Sequence, residues 1–183
     1  DLVSLVPKIQ NAGKAEVFGL ETEIDFQATD NLHLSANYSY IDASLAEDFL
    51  DASTTPPTVA AAEGDTLPGS SKHTFSLFAD WRQPLTSSLD LFVNANYRYV
   101  GSRPNDFGTV TQGTSELRTI PSSQIVNLSA SVSHDRGVTV SLFANNLFDE
   151  RTKQVDAGIR GGAVEFVTLN RPRMIGLRVG YQF

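Results

Sequence analysis

The chain has 183 residues, 40% of them hydrophobic, no cysteine and a formal net charge of -7, which bounds it to one domain or part of one. The missing cysteines remove disulfide frameworks, thiolate metal sites and cysteine nucleophiles. The acidic balance argues against a phosphate-backbone partner, so no nucleic acid is expected. No run approaches the roughly eighteen apolar residues of a transmembrane helix, and the longest small apolar run is Val59 to Ala62. No basic segment leading into an apolar one opens the sequence at Asp1, so a start partway through a longer protein is preferred over a removed signal peptide.

Alternation of apolar and polar residues with period two is the dominant pattern. In chain order it predicts strands over 15–28, 32–43, 72–83, 89–101, 122–134, 138–148 and 171–183, with a further one ending near Val6. These exceed the roughly five or six residues of a soluble strand and match the roughly nine to eleven of a tilted membrane-spanning one. The connections alternate in length. Thr29 to Asn31, Pro84 to Ser88 and Asp135 to Gly137 are short and rich in turn formers. Ser44 to Ser71, Ser102 to Pro121 and Asp149 to Asn170 are long, beyond the usual span of structureless connections. Short turns at one end and long loops at the other are the signature of an outer-membrane barrel, with the long loops outside.

The first strand carries Phe18, Leu20, Thr22, Ile24 and Phe26 on one face and Glu21, Glu23 and Asp25 on the other. Later strands repeat the division: Leu34, Ala36, Tyr38 and Tyr40 against Asn37 and Ser39; Phe75, Leu77, Ala79 and Trp81 against Asp80; Leu91, Val93, Ala95, Tyr97 and Tyr99 against Asn94, Asn96 and Arg98. Val126, Leu128, Ala130 and Val132 face away from Asn127, Ser129 and Ser131, and Val138, Val140, Leu142 and Ala144 from Asn145. Because Arg or Lys facing lipid near the bilayer centre costs about 2–4 kcal/mol, the uncharged face is assigned to lipid and the polar one to the lumen. Tyr38, Tyr40, Tyr97 and Tyr99 near the long loops, and Trp81 and Tyr181 near the short turns, match two interfacial aromatic girdles. A soluble β-sandwich also alternates and is the competing architecture.

Three stretches carry a family resemblance: Asn11-Ala12-Gly13 leading to Phe18-Gly19-Leu20-Glu21, Asn145-Asn146-Leu147-Phe148-Asp149-Glu150, and Arg171-Pro172-Arg173 running to Phe183. Together they resemble the C-terminal β-barrel portion of TonB-dependent outer-membrane receptors. That resemblance implies a barrel of about 22 strands around a plug, ligand capture outside the cell, and energy from the TonB complex acting through an N-terminal part. Residues 1–183 are then expected to be a fragment of the barrel without the plug. An odd set of seven strands agrees with a fragment, because bacterial single-chain barrels have even strand numbers. The expected setting is the bacterial outer membrane, with outer-membrane lipid on one face and a small-molecule ligand of unknown identity on the other.

Candidate sites are few. Ile175, Leu177, Val179, Tyr181 and the terminal Phe183 resemble the signal read by the barrel assembly machinery. Glu21, Glu23 and Asp25 form an acidic row on the lumen face, either on a solute path or, as the plainer reading, part of a polar wall. The Ser44–Ser71 loop carries Glu47, Asp48, Asp51, Glu63 and Asp65, which could attract a cation or simply be solvated. Arg151, Lys153, Arg160, Arg171 and Arg173 could meet an anionic ligand or lipid phosphates, but Asp149, Glu150, Asp156 and Glu165 balance them. His33, His73 and His134 fall on different strands and assemble no metal or catalytic site, so neither a cofactor nor an enzyme activity is expected. The leading function is TonB-dependent uptake of a scarce solute such as an iron–siderophore complex. A passive porin or small structural barrel is the alternative, and a barrel enzyme acting on lipid or peptide a third possibility.

Overall fold

The computed structural model describes residues 13–51, 55–107, 119–156 and 167–183. The expected strand ending near Val6, together with Lys8, Asn11, Ala12, Arg160, Glu165 and the side chain of Asp156, lies outside the described residues. Every regular element among them is a strand: β1 (Ala15–Thr29), β2 (Leu32–Leu45), β3 (Phe49–Asp51), β4 (Thr58–Ala61), β5 (His73–Pro84), β6 (Leu89–Val100), β7 (Arg103–Pro104), β8 (Thr119–Ile120), β9 (Ser123–His134), β10 (Val138–Asn145), β11 (Lys153–Asp156), β12 (Val167–Leu169) and β13 (Met174–Tyr181).

Seven of these form one antiparallel meander in the order β1-β2-β5-β6-β9-β10-β13. Each short turn joins neighbours at one end, and each long connection at the other end carries its own two-stranded hairpin, β3–β4, β7–β8 or β11–β12. The cross-strand register keeps each face intact. Ile24 lies opposite Ala36, Ala36 opposite Leu77, and Leu77 opposite Tyr97 on one side, while Glu23 lies opposite Asn37 and Asn37 opposite Ser76 on the other. The one irregularity along β1–β2 is a bulge between Gln27 and Thr29.

The sheet is a single layer. Phe18, Leu20, Ile24, Leu142, Leu177 and Val179 are each more than half exposed, and no second sheet covers them. A sandwich would have turned this face inward, so the described residues do not form one. Burial concentrates at the long-loop end: Ala43, Leu45, Ala61, Gly101, Ile120, Ser123, Asn146 and Thr152 are the buried residues among those described. The packed part of the sheet therefore lies under the loops.

Two boundaries depart from expectation for local reasons. The β10 strand ends at Asn145 rather than at 148 because Asn146 and Asp149 take positive φ (50° and 54°) and turn the chain. The last strand begins at Met174 rather than at 171, after Pro172, which has no N–H to give a ladder. At the opposite end, Gly137 has φ 86° and a Cβ there would lie 2.0 Å from the Gln182 carbonyl oxygen; only glycine fits this turn beside the closing strand.

Candidate functional site

The polar face is a connected wall. Asn94 Nδ2 donates to Asp80 Oδ1 at 2.5 Å, and Ser129 Oγ donates to Asn94 Oδ1 at 3.4 Å. Asn127 Nδ2 donates to Asn96 Oδ1 at 3.1 Å, while Asn127 Oδ1 accepts from the backbone N–H of Asn146 at 3.0 Å. Ser131 donates to Ser141 at 2.8 Å, and Ser133 and Thr139 lie 3.0 Å apart. Short hydroxyl and amide side chains on alternate positions satisfy one another across strands, which keeps this part of the wall wettable.

Sequence periodicity missed three aromatic rings in this wall. Phe78, Phe92 and Phe143 share the polar face, opposite Asn96, Ser131 and Ser129 respectively. Arg82 lies 5.7 Å from the Phe92 ring and also pairs with Asp90 at 2.8 Å; Arg178 lies 5.7 Å from the Phe143 ring. Phe143 covers Gly176 so closely that a Cβ at 176 would come within 2.4 Å of the ring. The ring fills the gap left by a bare strand position, a device that protects sheet glycines. The signal was present only as phenylalanine at polar-phase positions; register sets Phe143 beside Gly176 and Phe92 beside Arg82.

The acidic row keeps its geometry and gains a partner at one end. Glu21, Glu23 and Asp25 lie on one face opposite Ser39, Asn37 and Ser35, but Asp25 Oδ1 is 2.7 Å from His33 Nε2. The carboxylates of the first long loop serve the backbone: Glu47 accepts from Lys14 N at 3.1 Å, Asp48 from Glu63 N at 2.8 Å and Asp65 from Ala62 N at 2.8 Å. Among the described residues no group of three or more acidic or histidine side chains could hold a metal ion.

The Asn145–Glu150 stretch, singled out by sequence, forms a knot at the outer rim. Asn146, only 4% exposed, donates through Nδ2 to the carbonyls of Glu150 and Arg171, both at 2.9 Å, and accepts the Glu150 N–H through Oδ1 at 2.9 Å. Leu147 N donates to Val126 O at 2.8 Å, so the knot joins β9, β10 and the approach to β13. Asp149 accepts the Arg173 N–H at 2.8 Å and pairs with Arg151 at 3.2 Å. The Arg173 N–H, with help from Arg151, holds its carboxyl below the usual carboxylate range. Thr152 donates to Glu150 within the same turn. Of the basic residues expected to face an anion here, Arg151 pairs its guanidinium with Asp149, whereas Arg171 and Arg173 hold the loop through backbone groups.

At the outer mouth the three excursions are tied together. Gly69 N donates to Pro104 O at 2.8 Å, the Phe49 and Phe107 rings lie 6.4 Å apart, and Arg103 Nη2 donates to Gln154 O at 3.2 Å. Beneath them is an open concavity of about 580 Å³ lined by Ser70, Ser71, Arg98, Arg103, Gln154 and Asn170, among others. Arg98 was legible as a lumen residue; its meeting with Arg103 and Asn170, from different connections, was not.

A family model described as TonB dependent receptor-like, beta-barrel, matches residues 2–147. No curated protein matches the sequence. Among solved structures, the siderophore receptor PiuA from Acinetobacter baumannii aligns over 92% of this chain with TM-score 0.71 and 22% identity, and the chain covers 22% of it. The ferric yersiniabactin uptake receptor FyuA from Yersinia pestis aligns over 94% with TM-score 0.71 and 20% identity, with 24% of that receptor covered. BauA, the ferric preacinetobactin receptor from Acinetobacter baumannii, aligns over 100% with TM-score 0.67 and 19% identity, again with 24% covered. The chain thus spans less than a quarter of each solved receptor's length. The single-layer meander, its one-sided loops and the match over most of its residues agree: the chain belongs to the TonB-dependent receptor β-barrel family of the bacterial outer membrane.

Proposed function

We propose that residues 1–183 form a C-terminal arc of a receptor barrel that captures a scarce solute, an iron–siderophore complex, at its outer mouth and imports it with energy from the TonB complex. The observation that carries this reading is the outer mouth itself: three long excursions rise from one end of the sheet, are bonded to one another, and roof a concavity that opens on the polar face. The solved receptors of the same fold that align with it are named for a siderophore, ferric yersiniabactin and ferric preacinetobactin, which supports the choice of solute. In this arrangement the apolar face meets outer-membrane lipid, a plug and the TonB contact come from other parts of the receptor, and the closing strand is read by the barrel assembly machinery.

The test is uptake by the complete receptor in a bacterium stripped of its own siderophore receptors. Radiolabelled iron supplied as chelates should accumulate only when TonB is functional. Entry that survives loss of TonB and rises linearly with solute concentration would instead identify a passive channel.

A further inference from the structure

We infer that the outer rim of the apolar face docks the phosphorylated headgroup of an outer-leaflet glycolipid, with Lys72 and His73 as its donors; this rests on the reading that the apolar face meets lipid and holds whatever solute is imported. His73 is the first residue of β5 and falls on the apolar side of the sheet, opposite Tyr40. Burying an imidazole in hydrocarbon without polar partners is costly. Here two tyrosines grip the ring: Tyr38 Oη lies 2.9 Å from Nδ1, the Tyr38 ring stacks at a centroid distance of 6.2 Å, and the Tyr40 ring lies 5.3 Å away. With Nδ1 taking the Tyr38 hydroxyl proton, the imidazole proton sits on Nε2. His73 is exposed, and among the described residues nothing bonds to Nε2, so the ring offers a held donor to whatever lies outside the rim.

Lys72 stands beside it. Its carbonyl accepts the Ile41 N–H at 3.0 Å, and its side chain turns to Asp42 Oδ1 at 2.9 Å. Asp42 shares the apolar side with Tyr40 and lies opposite Phe18, so the ammonium is brought to the same side as His73. This bond uses one of three N–H groups, and the side chain stays 47% exposed, which leaves donors for a second anion. Asp42 is itself occupied, by Lys72 and by Tyr40 Oη, which donates to Oδ2 at 3.5 Å. Glu16, a second carboxylate on this side, lies farther out, opposite Ser44.

The tyrosines make this an interfacial position. Tyr38 lies opposite Phe75, Phe75 opposite Tyr99, and Tyr97 donates to Gln124 Oε1 at 3.2 Å on the next strand. A belt of rings that are apolar in body and polar at the tip thus crosses β2, β5, β6 and β9, at the height where acyl chains give way to headgroups. Toward the bilayer centre the same side continues with Ala36 opposite Leu77. A phosphate tethered to acyl chains suits both halves: the chains lie along the apolar positions, and the phosphate oxygens accept from Lys72 and His73. A free anion has only the second hold.

Native mass spectrometry of the purified complete receptor tests this by counting the lipids it retains from lipid A carrying both phosphates and from the same lipid with its phosphates removed. The phosphorylated form should be held more tightly, and Lys72→Gln, His73→Gln together should weaken it roughly fivefold or more while leaving the dephosphorylated form unchanged. Arg136→Gln, in an inner turn, should alter neither. Inorganic phosphate at the same concentration should not displace the lipid. Heat-modifiable gel mobility would verify that each variant is a folded barrel. Equal retention of the two lipids by the unaltered receptor, which needs no variant, would overturn the site and leave lipid on the apolar face. A phosphate preference untouched by the double variant, an equal loss in Arg136→Gln, or displacement by inorganic phosphate would overturn it in the same way. Retention of neither lipid would remove the lipid facing as well.

Discussion

Asn146 illustrates what a single side chain does at the outer rim. It takes φ 50°, a region asparagine tolerates better than most residues, and from there its amide bonds three backbone groups on two segments. Asn146→Ala removes all three bonds and leaves buried donors and acceptors unpaired, so a loss of about 2–3 kcal/mol is expected. Urea unfolding of the complete receptor in lipid, followed by gel mobility, would measure it; a change within error would mean that the knot does not limit unfolding. The sequence revealed this stretch only by resemblance, since nothing in alternation tells a buried asparagine from a solvated one. Phe143 was hidden for a similar reason: a phenylalanine in the polar phase reads as an exception until register sets it over Gly176. Arg98 shows the remaining limit, because periodicity assigns a face but not which loops converge above it.

At the scale of strands, period-two patterning located all seven members of the main sheet to within a few residues, since each strand separates two unlike solvents along its whole length. The hairpins inside the long connections were not legible. The strands β3, β7 and β8 have only two or three residues each, too few to develop a period. Facing can be tested on adjacent residues in mid-strand. Leu128 lies on the apolar face between Ala95 and Ala144, and Ser129 on the polar face beside Asn94. Leu128→Arg should cost about 2–4 kcal/mol and impair membrane assembly, whereas Ser129→Arg should be tolerated. Leu91 is a weaker probe, lying two residues from the inner end of β6, where the penalty of charge fades. Equal effects at 128 and 129 would reverse or abolish the assigned faces.

At the scale of the whole molecule, the proposed assembly signal on β13 can be tested. Ile175, Leu177, Val179, Tyr181 and Phe183 alternate on the exposed apolar side, and the Tyr181 and Phe183 rings lie 6.3 Å apart. If the assembly machinery reads this row, Phe183→Ser should slow barrel insertion severalfold in cells while leaving the stability of assembled receptor nearly unchanged. Phe148→Ser, at another exposed ring by the outer rim, should do neither. Pulse-chase labelling with gel mobility separates rate from stability, and equal delays in both variants would count against a signal at the terminus.

The concentration of burial beneath the loops also implies an unequal tolerance to sequence drift along the barrel axis. Under the proposed facing, the apolar side meets liquid hydrocarbon over most of each strand, which moulds itself to any oily side chain, so valine, leucine and phenylalanine should be nearly interchangeable there. At the outer rim, Ala43, Leu45, Ala61 and Ile120 meet other protein, and shape rather than oiliness decides what fits. A receptor built this way can vary its wall freely and retune its cargo through the loops, provided that a thin collar between them stays as it is.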